Sequence, residues 1–119
     1  MGKTIELTAS DGHKLSAYQA DAASPKGGMI VIQEIFGVNK HMREVADLYA
    51  SQGYTSIAPA LFDRAERGVE TGYTPADQER VKPIRAALKW DQVLLDVTAA
   101  RDALKKLRSE EHTSELQSH

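Results

Sequence analysis

Ile5, Leu7 and Ala9 alternate with Thr4, Glu6 and Thr8, the period of two that predicts a strand with one buried face. Asp11-Gly12 follows, a pair in which both residues tolerate the positive φ of a tight turn. Leu15, Ala17 and Gln19 against Ser16, Tyr18 and Ala20 give a weaker return strand. Beyond the loop Ser24-Pro25-Lys26-Gly27-Gly28, the run Met29-Ile30-Val31-Ile32 is apolar on both faces. Such a strand needs cover on both sides, as in a parallel sheet layered with helices. Asn39 is placed to cap a helix whose Met42, Val45, Ala46 and Tyr49 recur at helical spacing, and Gly53 closes it. Tyr54 to Ala58 predicts the next strand, stopped by Pro59. Strand, helix and strand together call for a right-handed parallel crossover.

Ala60 to Tyr73 lacks periodicity and is long for a connection, which favours a functional loop. Thr74-Pro75-Ala76-Asp77 restarts helix with a capping threonine, proline at the first position and an acid in the first turn. Pro83 should break or kink that helix. Trp90, Leu94, Val97, Ala100, Leu104 and Leu107 then mark one apolar face of a long helix, with Trp90 expected in the core. The class is α/β, and it reads as unfinished. A helix this apolar should lead to another parallel strand, yet Ser109 to His119 is polar and without strand pattern.

Composition narrows the field. With 119 residues the chain fits one small domain, and 41% hydrophobic against 27% charged residues is globular rather than disordered. Fifteen basic and seventeen acidic residues leave a net charge of −2, which argues against nucleic acid, whose phosphates require a cationic excess. No apolar run approaches bilayer length and no apolar leader opens the chain, so a cytoplasmic protein away from membranes is expected. Cysteine is absent, which removes disulfides, thiolate metal sites and any thiol nucleophile from these residues. The four histidines show no metal-ligand spacing, and no glycine-rich phosphate loop follows a strand; neither metal nor other cofactor is expected.

Gln33-Glu34-Ile35-Phe36-Gly37-Val38-Asn39, followed by Met42-Arg43-Glu44, resembles the dienelactone hydrolase family of α/β-hydrolases. Asp11-Gly12-His13, Gln52-Gly53-Tyr54, Pro59-Ala60-Leu61-Phe62 and the long helix with Asp91 and Asp96 fit the same family. The resemblance runs from about Thr4 to Leu107 and corresponds to the N-terminal half of that domain. It implies an α/β-hydrolase fold in truncated form, an N-terminal β-hairpin plus the first parallel βαβ units. It also implies that the nucleophile elbow, G-x-C-x-G in that family, and the later Asp and His of the triad lie beyond Leu107. Arg108 to Ser118 resembles something different, the in-frame translation of a common sequencing adapter. Residues 1–107 are thus expected to be the hydrolase portion and 108–119 a non-native tail.

Glu34 is the first candidate for chemistry. It is an ionisable residue directly after a doubly apolar strand, at the end where open α/β sheets bind ligands. A half-desolvated carboxylate there can exchange protons near neutrality, although from the residues alone a loop glutamate paired with a lysine is the commoner case. The resemblance implies that Glu34 contacts the nucleophilic thiol and accepts its proton, and that the backbone N–H of Ile35 is an oxyanion-hole donor. Arg64, Arg67 and Arg80 are candidates for gripping a substrate carboxylate, with Arg80 preferred and Arg85 also open. The expected function is that of a fragment of a carboxylic ester or lactone hydrolase, acting on a small-molecule substrate through a cysteine outside these residues. Two other readings compete with it. One is a non-catalytic flavodoxin-like interaction module, which should supply about five parallel strands where two are found; the other is a fragment with no independent function. The oligomeric state has no signature in the sequence.

Overall fold

The structure, a computed structural model, describes residues 2–33 and 37–118, with 108–118 described by backbone alone. Four strands form one mixed sheet: β1 (Lys3–Thr8), β2 (Lys14–Ala20), β3 (Gly27–Ile30) and β4 (Tyr54–Pro59). Three helices accompany them: α1 (Lys40–Ser51), α2 (Pro75–Ala86) and α3 (Trp90–Ser118), with one turn of 3-10 helix at Leu61–Arg64. The strand order is β1-β2-β4-β3, with β2 antiparallel to both β1 and β4, and β3 parallel to β4. The parallel pair around α1 is the crossover that the hydrophobic pattern predicts. None of the described helices is long and apolar enough to cross a membrane.

Alternation along the strands divides the core between two faces. Leu7, Leu15, Ala17 and Ile57 pack under α3 through Ala100 and Leu104. Ala20, Val31 and Ala58 pack under α1 through Met42 and Ala46. β3 shows why the sequence places glycine in a strand: a Cβ on Gly28 would lie 3.3 Å from the Leu104 side chain, so α3 crosses there at close range. A third cluster, Phe62, Val69, Val81 and Ile84, seats α2 on the 3-10 turn.

Three local expectations are corrected. Of the Asp11-Gly12 pair only Gly12 takes positive φ, at +89°, because the ladder ends at Thr8 and Lys14 and leaves a longer loop closed by Ala9 N–H to the His13 carbonyl. Pro59 ends β4 as expected, as the last residue of the ladder opposite Ala17, and is fully buried. Pro83 does not break α2, which continues to Ala86; Val81 and Ile84 on either side are held in the third cluster, and that packing offsets the lost hydrogen bond. Trp90 is not core but 81% exposed, and Leu94 is 59% exposed, since both border an open groove beside Ile32, Leu61 and Leu88.

Candidate active site

The ends of the two parallel strands open into the same region. Beyond β3 the Val31 N–H still reaches the Ile57 carbonyl at 2.9 Å, and then the chain leaves the sheet through Ile32 and Gln33. The Gln33 carboxamide oxygen accepts a hydrogen bond from the Leu61 N–H at 2.9 Å, which fastens the exit of β3 to the exit of β4. Glu34 and Ile35, the two residues expected to act in chemistry, lie outside the described residues, together with Phe36.

The far bank of this segment is fixed as firmly. Gly37 has φ +82°, pairs with Glu70 in an antiparallel bridge, and lies so close to Val69 that a Cβ would overlap the Val69 carbonyl oxygen. Asn39 caps α1 by accepting from the Met42 N–H at 3.2 Å. Its amide nitrogen meanwhile donates to the Thr71 carbonyl at 2.9 Å and to the Tyr73 hydroxyl at 3.3 Å. Arg43 donates to the Val38 carbonyl at 2.9 Å and to Glu70 at 2.8 Å. The sequence predicted the cap; the second use of Asn39 as a staple to the 71–73 loop had no local signal. Gln33 was equally missed, although a polar side chain directly after an apolar run is such a signal.

Beside Gln33 lies an apolar groove of about 430 Å³, with Ile32, Leu61 and Phe62 on the sheet side and Leu88, Leu94 and Val97 on the helical side. The four arginines divide clearly around it. Arg64 donates through Nε and Nη2 to both oxygens of Asp96 at 2.9 Å, and through Nη1 and Nη2 to Asp11 at 2.9 and 3.1 Å. Its side chain is 9% exposed and that of Asp96 is fully buried, so this guanidinium is consumed in structure. The Arg64 guanidinium, helped by the His13 N–H, holds the Asp11 carboxyl below its usual range. The same two carboxylates push the Arg64 pKa further up. Arg67 donates to the Lys14 carbonyl at 2.6 Å. Arg80, the preferred substrate contact, is half exposed and pairs with Glu66 at 2.6 Å, away from the groove lining. Arg85 lines the groove and has no ion pair among the described residues. An apolar trough with one uncommitted cation suits an organic carboxylate or its ester.

A candidate carboxymethylenebutenolidase of Synechocystis is 44% identical over 71 residues, spanning 60% of this chain and 29% of that protein. The carboxymethylenebutenolidase of Pseudomonas putida is 38% identical over 77 residues, spanning 64% of this chain and 32% of the relative. This chain therefore matches about a third of the length of these relatives. In three dimensions a candidate dienelactone hydrolase from Klebsiella pneumoniae superposes with a TM-score of 0.67 at 28% identity, covering 89% of this chain and 45% of that one. An esterase from Pyrococcus furiosus gives 0.57 at 25% identity over 89% of this chain and 36% of that one. The family model for dienelactone hydrolases matches residues 15–116, and the chain belongs to the dienelactone hydrolase family.

Proposed function

We propose that this chain is the N-terminal portion of a carboxylic ester or lactone hydrolase that acts on a small, carboxylate-bearing molecule in the cytoplasm. The observation that carries the reading is the apolar groove at the ends of β3 and β4, bordered by Gln33 and by the uncommitted Arg85. In this reading the nucleophile is a cysteine supplied from outside these residues, since the chain has none. Glu34 follows the apolar run Met29–Ile32 and would accept the thiol proton when substrate binds. A thiol ionises near pH 8.5 when unperturbed, and a neighbouring carboxylate keeps it neutral until an anionic substrate displaces that carboxylate. The Ile35 N–H would stabilise the tetrahedral oxyanion. The substrate carboxylate would be held by Arg80 on release from Glu66, or by Arg85 directly. The same reading assigns residues 1–107 to the hydrolase and 108–119 to a translated adapter.

The test is a chimera in which residues 1–107 are fused to the C-terminal remainder of the Synechocystis relative. It should hydrolyse aryl esters and lose that activity to iodoacetamide, and Glu34→Gln should lower turnover about 10²-fold or more. A folded chimera that resists thiol reagents, or that keeps full turnover with Glu34→Gln, refutes the assignment. The 119-residue chain alone should release nitrophenol from p-nitrophenyl acetate no faster than buffer, because it has no cysteine and no nucleophile–base pair among the described residues.

A further inference from the structure

We propose that Asn39 is a positioning residue for the hydrolytic reaction. Its amide fastens the 69–73 segment against the chain that leaves residues 34–36, and so keeps the acid–base and oxyanion groups of that stretch in place. The inference rests on the proposed hydrolase function, in which Glu34 and Ile35 act. The chain enters this stretch at Gln33 and leaves it at Gly37, and the two ends are held by different means. Gln33 is tied to Leu61 at the exit of β4 by a hydrogen bond of 2.9 Å. Gly37 has no side chain and lies with φ +82° against the backbone of Val69 and Glu70, so its place is set by whatever fixes that segment.

The segment is fixed from several sides. Val69 packs with Phe62, Val81 and Ile84 in the cluster that seats α2. Glu70 accepts a hydrogen bond from Arg43 at 2.8 Å, but the two side chains are 54% and 35% exposed, so water and salt weaken that pair. Asn39 is uncharged and 7% exposed. Its Nδ2 donates to the carbonyl of Thr71, which is also buried, at 2.9 Å, and to the Tyr73 hydroxyl at 3.3 Å. A buried carbonyl that loses its donor bears a desolvation cost that an exposed ion pair does not. Burial thus ranks Asn39 above the Arg43–Glu70 pair. The residue also divides its work by atom: Oδ1 accepts from the Met42 N–H and caps α1, whereas Nδ2 makes the staple. Asn39 does not line the groove beside Gln33, so cutting the staple displaces reacting groups and leaves the substrate's apolar contacts alone.

This division by atom can be tested by substitution. Asn39→Asp keeps an oxygen for the Met42 N–H and turns the donor into a second acceptor facing the Thr71 carbonyl. In the 119-residue chain, amide exchange should stay slow at Met42 and quicken at least about tenfold at residues 69–71 around the Gly37–Glu70 bridge. In the chimera of residues 1–107 with the Synechocystis remainder, kcat for an aryl ester should fall about 10- to 100-fold while KM changes less than about twofold. Asn39→Ser caps through its hydroxyl without adding charge and should give the same split. Glu70→Gln, and separately about 0.5 M salt, should each lower kcat less than about threefold. A Glu70→Gln loss as large as that of Asn39→Asp moves the role to the ion pair and overturns the assignment. Unchanged exchange at 69–71, or a rise in KM alone, overturns it as well. A folded parent chimera that turns over no ester rejects the hydrolase function and the positioning role with it. An active parent chimera whose kcat survives Asn39→Asp rejects the positioning role alone.

Discussion

Arg64 reaches two carboxylates from separate parts of the chain, Asp11 in the first loop and Asp96 in the middle of α3. The Asp96 side chain is fully buried and bonded through both oxygens, so removing its charge leaves a nearly buried guanidinium half compensated. Asp96→Asn should cost about 3 kcal/mol, at the low end for breaking a buried pair because Asp11 remains, as read from urea unfolding. Asp11 is more exposed, and Asp11→Asn should produce a clearly smaller loss. The sign with pH follows from the lowered Asp11 pKa. Its contribution is complete above the unfolded aspartate range, about pH 4, and disappears as pH falls through the folded value. The gap in urea midpoint between the parent chain and Asp11→Asn should therefore hold steady from pH 8 to pH 5 and close in acid. A gap that widened in acid would mean that Arg64 does not hold the ionised form.

At the level of elements, the boundaries were legible wherever one residue decides them. Asn39 caps α1, Gly53 takes φ +100° just past its end, and Thr74 with Asp77 forms a capping box behind Pro75. These signals are local, and local geometry satisfies them. What stayed hidden depends on distant packing: the antiparallel seating of β2 on β4, the survival of α2 through Pro83, and the exposure of Trp90. The apolar face of α3 was read correctly at Ala100 and Leu104 and too generously at Trp90 and Leu94, since periodicity shows which positions could be buried and not how far the sheet extends. Of the candidate site, Glu34 and Ile35 rest on the run that contains them and lie outside the described residues, and Arg64 was indistinguishable from Arg80 and Arg85 until its partners were known. Pro83 gives the element-scale prediction. It is exposed and lacks the N–H that would bond back one turn, so Pro83→Ala should add about 1–2 kcal/mol to stability, less than the full helix-interior difference because proline also restrains the unfolded chain. Equal or lower stability would mean that the proline ring packs against a neighbour.

Across the whole molecule, α3 is out of proportion to the sheet it covers. Its 29 residues rise about 44 Å, while the six residues of β4 span about 20 Å. The helix makes its buried contacts over a short middle stretch, with Asp96 on Arg64 and Ala100 and Leu104 on the sheet. N-terminal to this stretch Trp90 and Leu94 are exposed and border the groove beside Ile32 and Leu61. C-terminal to it the helix continues past Leu107, giving a molecule 55 Å long and 17 Å in its thinnest dimension. Among the described side chains its buried anchoring to the sheet lies at Ala100 and Leu104, and a helical extension without tertiary packing contributes little in water. Ending the chain at Leu107 should therefore change unfolding free energy by no more than about 0.5 kcal/mol, the range for changes away from packed features. Helical circular dichroism should fall in proportion to the turns removed. A loss above about 1 kcal/mol would show that the 108–119 segment is part of the native core, and would refute both the adapter reading and the division of the chain at Leu107.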